Sequence, residues 1–568
     1  MKRFLGILFA AVLLSGAFAQ TMNVAWPYKV PPEGHFNSMA KNAINLGIYI
    51  DLMVPPLATY HWADGTYEGI AAESFGFDSD GNYTVTLKKG HTWSDGTAIN
   101  ADDLLTTFNA KYLTGATVWN NLEDVVKVDD MTAKFVMKEP SVATERLILT
   151  ENLRPTSVFG DIASRTAALR SAGKDKDSEE VKALLNELTE FRPSEYVSGG
   201  PFVMDVNSIT DANIKLLKNE GGIGSDTTAF SDVTVWNGET ETVFPIVVGG
   251  QLWYATHGFS PVQEEALVKA GLDIIRNPYY SGPALYFNQT NPLFANPVFR
   301  QAVAYAIDRD ENGFVSLGES GVAVEYMTGV SDNLIGAYLD QDTLDSMNTY
   351  DFDLDKAAEL MTSLGYAKGS DGIWAKDGKK LSFEMIFPAE YADWSAAAEN
   401  AAQALNAFGI EIKAKGVQFQ QQRQDVYDGN FEIAIRNWGT SSPFPYRSYL
   451  QPYDRYNGQG ELAGEGKGGG MHYDPNITYS GGAVNVLDLA NEAGKGADTA
   501  KIKALVKQLA VSFNETLPIV PLWERFGNNP LNRSKVDAPP ASDPIFLNSG
   551  TDHFMPYMII TGKVKPAK

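Results

Sequence analysis

The residue types that carry most enzyme chemistry are absent or poorly spaced in this sequence. The chain has no cysteine, which excludes a thiol nucleophile and a cysteine metal site. Its six histidines, at positions 35, 61, 91, 257, 472 and 553, form no pair with metal-ligand spacing, so a zinc hydrolase is not expected. Its 70 acidic residues always allow a pair of carboxylates, and a secreted glycoside hydrolase therefore remains an alternative function.

One segment has the spacing of a calcium-binding loop. The pattern D-x-[DN]-x-[DN]-G-x5-E is matched by Asp308, Asp310, Asn312, Gly313 and Glu319. An outgoing helix should begin near the glutamate, but Gly318 and Gly321 flank it here. The context therefore disfavours a calcium site, and we expect neither a metal nor another cofactor.

Aromatic side chains are the other residues with clear binding chemistry. The chain has ten tryptophans and 25 tyrosines. A pyranose ring has an apolar face that stacks on such rings, and its hydroxyls need neutral or anionic hydrogen-bond partners. Isolated tryptophans are more often core residues, and we expect that structural role for Trp93, Trp236 and Trp374.

The elements that must position these residues alternate along the chain. Strand-like patterns occur at residues 133–137, 213–217 and 383–387. Helical patterns occur at residues 178–190, 261–270, 297–307 and 396–408. This alternation predicts an α/β or α+β fold.

The N-terminus has the features of a secretory signal peptide. Residues 1–3 are a basic start, residues 4–14 form an apolar run too short to span a bilayer, and residues 17–19 fit a small-x-small cleavage site. We predict a signal peptide at residues 1–19, cut before Gln20. No cysteine follows that could carry a lipid anchor, so we expect a soluble periplasmic protein.

Composition and charge exclude further classes of function. The net charge of −24 argues against nucleic acid as a partner, because phosphate binding needs clustered lysine and arginine. No second apolar segment has the length of a membrane span. The mature chain is long enough to form two large lobes or several smaller domains without disulfides, and a monomer is expected.

The most specific signal is the segment TLKKGHTWSDGTAINADDLLTTFN at residues 86–109. A strand-like run at 83–87 is followed by a turn at Asp95-Gly96 and by a helix that Asn100 should cap. The segment resembles the block L-R-x-G-V-x-W-S-D-G-x-P-x-T-A-x-D-V of the family 5 extracellular solute-binding proteins. These receptors deliver peptides, oligosaccharides and some metal chelates to ABC importers.

Further blocks of that family follow in the expected order. They occur at residues 197–202, 286–308, 355–366, 429–432 and 514–522, and residues 251–270 occupy the place of another family segment. The resemblance covers nearly the whole mature chain. It implies a substrate-binding protein whose partners are the permease subunits of an ABC importer.

The resemblance also implies an α/β, two-lobed periplasmic binding protein of the large three-domain type. The expected domains are lobe 1 at 20–278 plus 523–568, an inserted subdomain in it at about 61–195, and lobe 2 at 284–515. The hinge would be formed by two crossings of the chain, at about 277–282 and 516–521. Such proteins bind by closing their lobes over the ligand, without covalent chemistry.

Several candidate binding residues lie on the segments that face the pocket in this family. They are Trp26, Tyr28, His35, Asn37, Trp253, Tyr254, His257, Phe259, Trp394, Asn437 and Trp438. In peptide-binding members, a G-W-x-A-D motif places an aspartate against the peptide ammonium group. Here the motif keeps Trp438, but the aspartate position falls on Ser441.

This departure bears on the ligand. A neutral hydroxyl cannot replace the charge-assisted bond that a buried ammonium group requires, which contributes about 1.5–3 kcal/mol. The sequence therefore predicts a neutral oligosaccharide as ligand, with peptides as the alternative.

Overall fold

The computed structural model describes residues 20–458, 469–548, 550 and 552–567. The predicted signal peptide, residues 1–19, lies outside the described residues. None of the helices in the described ranges combines the length and the hydrophobicity that spanning a bilayer requires. Strands and helices alternate through the chain, in agreement with the predicted α/β class.

The first central sheet is built around the strand Thr21–Ala25. Met22 and Val24 are fully buried and alternate with half-buried residues, as expected for a strand with one face on the core. The strand pairs in parallel with Asp232–Trp236, and Tyr254 bridges its other side to a C-terminal strand. In spatial order, the strands are Phe202–Met204, Asn213–Lys218, Asp232–Trp236 and Thr21–Ala25, and beyond the Tyr254 bridge lie Asn529–Leu531 and Asp273–Ile275. The helices Thr240–Val248, Pro261–Lys269 and Phe554–Ile560 belong to the same part of the molecule.

A smaller four-stranded sheet and four helices lie between residues 72 and 190. Asn100 caps the first helix, Ala101–Leu113, and forms a capping box with Asp103. The buried Trp93 indole donates to the Asp103 carboxylate over 3.1 Å, so its predicted structural role is confirmed. In spatial order, the strands are Ala72–Phe77, Tyr83–Leu87, Thr132–Met137 and Leu122–Lys127. The other helices are Val142–Leu149, Thr156–Ser171 and Glu179–Glu190.

The second central sheet contains the strand Ser281–Phe287. Nearly all of its residues are buried, which is typical of a strand covered on both faces. It pairs in antiparallel register with Ile433–Gly439. In spatial order, the strands are Glu411–Val417, Ser382–Pro388, Ile433–Gly439, Ser281–Phe287 and Val520–Pro521. The longer helices of this part are Pro297–Tyr305, Arg309–Leu317, Leu354–Ser363, Ala392–Phe408, Phe419–Asp428, Val486–Ala493 and Thr499–Thr516.

The two central sheets have separate hydrophobic cores, which we use to define two lobes. The core of lobe 1 takes its residues from 22–275 and 531–564, and the core of lobe 2 from 280–523. The chain therefore crosses between the lobes near 275–280 and near 523–531. The domain boundaries given above, including the inserted subdomain, stay a prediction.

The lobes touch each other. The Trp62 ring stacks on Tyr280 with 4.0 Å between centroids and 25° between planes. The Tyr280 hydroxyl donates to the Leu547 carbonyl over 2.7 Å. Farther along the interface, the Val142 amide donates to the Gly496 carbonyl over 3.1 Å. The structure therefore shows the lobes in contact around the space between them.

The segment with calcium-loop spacing is part of a helix. Asp308 caps the helix Arg309–Leu317. The buried Asn312 amide nitrogen donates to the Ala397 carbonyl over 2.9 Å, and its oxygen accepts from the Trp523 indole over 3.1 Å. Asn312 therefore holds this helix in the lobe 2 core and is not oriented as an ion ligand.

Candidate functional site

A cavity of about 360 Å³ lies between the lobes, and we call it the main cavity. Both lobes and both crossing segments contribute to its wall. Its aromatic lining residues are Trp26, Tyr254, Tyr279 and Phe554. Its polar lining includes Thr256, Asn277, Ser441, Arg525, Asn529, Asn548 and His553. The arrangement combines flat apolar rings with hydrogen-bonding groups.

The position of Trp26 depends on a glycine. Trp26 directly follows the first strand of lobe 1, and its amide donates to the Trp236 carbonyl over 2.9 Å. Its ring packs on Gly47, where a Cβ atom would overlap the indole. Gly47 also has a φ of 55°, in the left-handed region that glycine adopts most easily. Glycine at position 47 therefore allows the Trp26 ring to lie where it does.

The wall has hydrogen-bonding capacity that the described residues do not use. The Asn529 amide nitrogen donates to Asn277 over 2.8 Å and to the Tyr254 hydroxyl over 3.2 Å. The Asn529 oxygen, Nε of Arg525 and the Asn548 amide nitrogen have no partner among those residues. Because buried polar groups are nearly always paired in folded proteins, these atoms mark a polar site.

The charges of the main cavity are balanced. In the described part of the chain, no carboxylate lines it. Arg525 pairs with Asp393 at 3.1 Å, and His553 lies 3.0 Å from Asp51. Burial raises the pKa of Tyr254 well above its usual value, so this hydroxyl stays neutral. The wall therefore suits an uncharged polar group better than an ammonium ion, which would need a buried counter-charge.

The sequence matches the bacterial extracellular solute-binding proteins, family 5 Middle, over residues 55–460. That range is more than half of the chain. The chain belongs to this family. A probable ABC transporter-binding protein from Deinococcus radiodurans is 25% identical over 82% of this chain and 81% of its own length. The glutathione-binding protein GsiB of Escherichia coli K12 is 24% identical over 56% of this chain and 57% of its own.

Solved structures show the same fold. A periplasmic oligopeptide-binding protein of an ABC transporter from Thermotoga maritima superposes with a TM-score of 0.78 at 21% identity, covering 96% of this chain and 99% of that one. The mannohexaose-bound form of the same protein gives a TM-score of 0.72 over 97% and 99%. The oligopeptide-binding protein AppA from Bacillus subtilis, with a nonapeptide, gives 0.65 at 18% identity over 97% and 99%.

Membership confirms the resemblance and the two-lobed α/β class. This family 5 solute-binding protein is the substrate-binding component of an ABC importer and acts outside the cytoplasm, with permease subunits as partners. Family 5 proteins are binding components without enzymatic activity, so the glycoside hydrolase alternative is set aside. A signal peptide and the lack of a lipid anchor remain predictions.

Three predicted site residues of the family 5 protein line the main cavity, namely Trp26, Tyr254 and Ser441. The Ser441 hydroxyl donates to the Tyr279 carbonyl over 2.9 Å. Ser441 therefore ties a lobe 2 loop to the first crossing segment. The aspartate position of the peptide-binding motif is thus at the cavity wall, but it carries no charge here.

Trp438 lies behind the wall. Its side chain is fully buried in the lobe 2 core, and its indole donates to the Trp523 carbonyl over 3.1 Å. No face of the ring is open to a ligand in this structure. We therefore correct the expectation that Trp438 stacks on the ligand, because its strand directs the indole into the core.

The candidates at the start of lobe 1 also lie elsewhere. The Tyr28 hydroxyl donates to the Thr210 carbonyl over 2.9 Å. Nε2 of His35 lies 2.7 Å from the Lys41 carbonyl. The fully buried Asn37 amide donates to the Leu188 carbonyl over 2.6 Å, at the end of a helix. None of Tyr28, His35 and Asn37 lines the main cavity, and a backbone carbonyl engages each of the three side chains.

The segment 253–259 contributes to the cavity wall, but only one of its four predicted binding residues does so. Tyr254 and Thr256 line it, whereas Trp253, His257 and Phe259 do not. Phe259 is fully buried, and Nε2 of His257 lies 2.9 Å from the Gly238 carbonyl. Burial lowers the pKa of His257. The lining residues 254 and 256 alternate with 253 and 257, which do not line the cavity, as neighbouring side chains do beside a β-bridge such as that of Tyr254.

The two remaining candidates belong to lobe 2 packing. Trp394 lies in the first turn of the helix Ala392–Phe408, half-buried, with the Arg436 guanidinium 6.0 Å from its ring. The Asn437 side-chain oxygen accepts from the Tyr456 hydroxyl over 2.6 Å. Trp394 and Asn437 do not line the main cavity.

Sequence reasoning missed the residues that come from the crossings and from the C-terminal return. These are Asn277, Tyr279, Arg525, Asn529, Asn548, His553 and Phe554. No motif distinguishes them in the sequence. The available signal was the expectation that residues after 523 return to lobe 1, which brings them to the space between the lobes.

Proposed function

We propose that this solute-binding protein binds the neutral sugar residues of an oligosaccharide in the main cavity and delivers the ligand to its permease. One observation carries this proposal: the half-buried rings of Trp26 and Tyr279 and several uncharged polar groups line the cavity, without a carboxylate among the described residues. Aromatic rings stack on pyranose faces, and amides and hydroxyls pair with sugar hydroxyls.

Two further observations support a sugar. Ser441 stands at the cavity wall where peptide-binding members have an aspartate. In addition, mannohexaose is bound in one structure of the similar Thermotoga maritima protein.

A peptide is the second candidate, and the comparisons support it equally. The similar AppA of Bacillus subtilis holds a nonapeptide, and DppA of Helicobacter pylori holds the peptide STSA. No described carboxylate lines the main cavity, so the ammonium group of a bound peptide would need another hydrogen-bond acceptor. The backbone carbonyls and the Asn529 oxygen are the neutral acceptors that could serve.

Calorimetric titration of the purified mature protein tests the proposal. The ligands are soluble gluco-, xylo- and manno-oligosaccharides, beside dipeptides, tetrapeptides and glutathione. Saturable binding of an oligosaccharide with weaker or absent peptide binding supports the proposal. Micromolar or tighter binding of peptides alone would replace it with the peptide alternative.

A variant connects that binding to the main cavity. Trp26→Ala removes one stacking surface, so it should weaken oligosaccharide binding by about 1–3 kcal/mol. Trp374→Phe is a matched control, because Trp374 is buried in a lobe 2 hairpin away from the cavity. Equal affinity of Trp26→Ala and the unmodified protein would remove Trp26 from the site.

A further inference from the structure

A second cavity adjoins the main cavity. It has a volume of about 220 Å³ and lies between the helix Val142–Leu149 and the loop 441–447 of lobe 2. Ser441 lines both cavities. Gly550 of the C-terminal return packs against the backbone of Ser441 at this junction. We call the second cavity the side compartment, and it extends the space between the lobes.

The side compartment is electropositive. Arg146 and Arg447 line it, and no carboxylate does so among the described residues. Arg146 is paired with Asp552 at 2.5 Å, so its charge is compensated. A cavity wall with two arginines and no carboxylate is unusual in a chain with 70 acidic and 46 basic residues.

Arg447 supplies the uncompensated charge. Its side chain is half-buried, and in the described ranges no ion pair or hydrogen bond engages its guanidinium group. A guanidinium group presents parallel N–H donors that match the two oxygens of a carboxylate. Partial burial strengthens such a contact relative to one in open water. The Arg447 guanidinium group is therefore available to an anionic ligand, because no residue in the described ranges pairs with it.

The rest of the lining is neutral. Thr117, Thr150 and Ser442 offer hydroxyls, and Phe444 and Tyr446 offer apolar surface. This set suits the end of a polar chain that carries one charged group. It does not suit a large apolar group, because hydroxyls and guanidinium groups form much of the wall.

From this geometry we infer that the side compartment binds a carboxylate at one end of the ligand, while the neutral part of the ligand lies in the main cavity. This inference rests on the proposed binding in the main cavity. The carboxylate has two chemical sources, the acidic end unit of an oligosaccharide and the C-terminus of a peptide. Both present the same planar anion to Arg447.

Calorimetry with matched ligands tests the inference and distinguishes the sources. The sugar set is mannohexaose and the same hexasaccharide oxidised to a carboxylate at one end or the other. The peptide set is Ser-Thr-Ser-Ala with a free C-terminus and with an amidated one. In the set that contains the true ligand class, the acidic member should bind about tenfold tighter or more than its neutral counterpart.

Variants locate the effect at Arg447. Arg447→Gln should remove most of that preference, because glutamine keeps the polarity but loses the charge. Arg192→Gln is the matched control, since Arg192 is an exposed arginine that donates only to backbone carbonyls near its own helix end. Thr117→Asp places a carboxylate at an exposed position of the same wall and should also reduce the preference, without removing a buried group.

The outcomes separate this inference from the proposed function. An acid preference that Arg447→Gln abolishes supports the inference, and the set that shows it identifies the source. Equal affinity for acidic and neutral members overturns the inference and leaves binding in the main cavity standing. An acid preference that survives in Arg447→Gln and Thr117→Asp also overturns it. Failure of every ligand in both sets to bind overturns both proposals.

Discussion

Trp438 is a packing residue of lobe 2, and its replacement should show this. Its fully buried indole donates to the Trp523 carbonyl. Trp438→Ala leaves a cavity and an unpaired carbonyl, so it should lower the free energy of unfolding by about 3–5 kcal/mol. Urea unfolding followed by circular dichroism measures the change. An unchanged unfolding midpoint would contradict the assignment of Trp438 to the core.

Gly47 controls the Trp26 ring in the main cavity. Gly47→Ala should lower the free energy of unfolding by about 1–2 kcal/mol through its left-handed backbone and should also displace the ring, which weakens ligand binding. Gly250→Ala is the matched control, because Gly250 has a φ of 74° and open space around a new Cβ atom. Thermal unfolding and calorimetry on both variants separate backbone strain from ring displacement. Equal ligand affinity in the two variants would contradict the role of Gly47.

At the scale of residues, the sequence predicted which segments face the ligand better than it predicted which of their side chains do so. The segments around Trp26, Tyr254 and Ser441 were predicted to face the ligand, and each supplies a lining residue. Trp438 lies in the core because the direction of a side chain depends on the register of its strand in the sheet, and Trp253 precedes the lining residue Tyr254 without lining the cavity itself. The contributions of Asn529 and Asn548 depend on contacts between distant parts of the chain, which local pattern does not contain.

At the scale of elements, local signals were reliable. Asn100 caps its helix as predicted, and the strand Tyr83–Leu87 has the predicted bounds. Helix ends were less certain. The helix predicted from residue 396 begins at Ala392, because Asp393 and Trp394 form a first turn that contacts Arg525 and Arg436. Such tertiary contacts extend a helix beyond its periodic apolar pattern.

The second crossing contains a buried acid that should give the protein a pH-dependent stability. Glu524 accepts hydrogen bonds from the Tyr280 amide over 3.1 Å and from the Ser331 hydroxyl over 2.8 Å. Burial raises the pKa of Glu524 to about 7, and burial also raises the pKa of Asp332 to about 6. In the unfolded chain a glutamate has a pKa of about 4.3.

The sign of the effect follows from proton uptake. Between the unfolded pKa and about 7, the folded protein holds a proton on Glu524 that the unfolded chain has lost. The free energy of unfolding should therefore fall as pH rises through this window, by up to about 1.4 kcal/mol per pH unit from this group. Glu524→Gln stays neutral and should show a shallower slope in urea unfolding between pH 5 and 8. The same slope in both proteins would contradict the prediction.

At the scale of the whole molecule, binding depends on how the lobes meet. A ligand shifts the equilibrium between open and closed forms by its differential affinity for the two. The stack of Trp62 on Tyr280 joins the lobes outside the main cavity, and the Trp62 indole is fixed by a 2.9 Å bond to Asp552. This contact stabilises the form in which the lobes touch, whether or not a ligand is present.

Trp62→Ala should therefore weaken binding without touching the ligand. An aromatic pair stabilises the closed form by about 0.5–1.5 kcal/mol, so losing it should lower the affinity by up to about tenfold. Small-angle scattering of the ligand-free variant should give a larger radius of gyration, because more molecules are open. Trp374→Phe again serves as the control, since its contacts stay within lobe 2. If the radius of gyration and the affinity both match those of the unmodified protein, the stack does not contribute to closure. Other contacts between the lobes, such as that of Val142 with Gly496, must then hold the closed form.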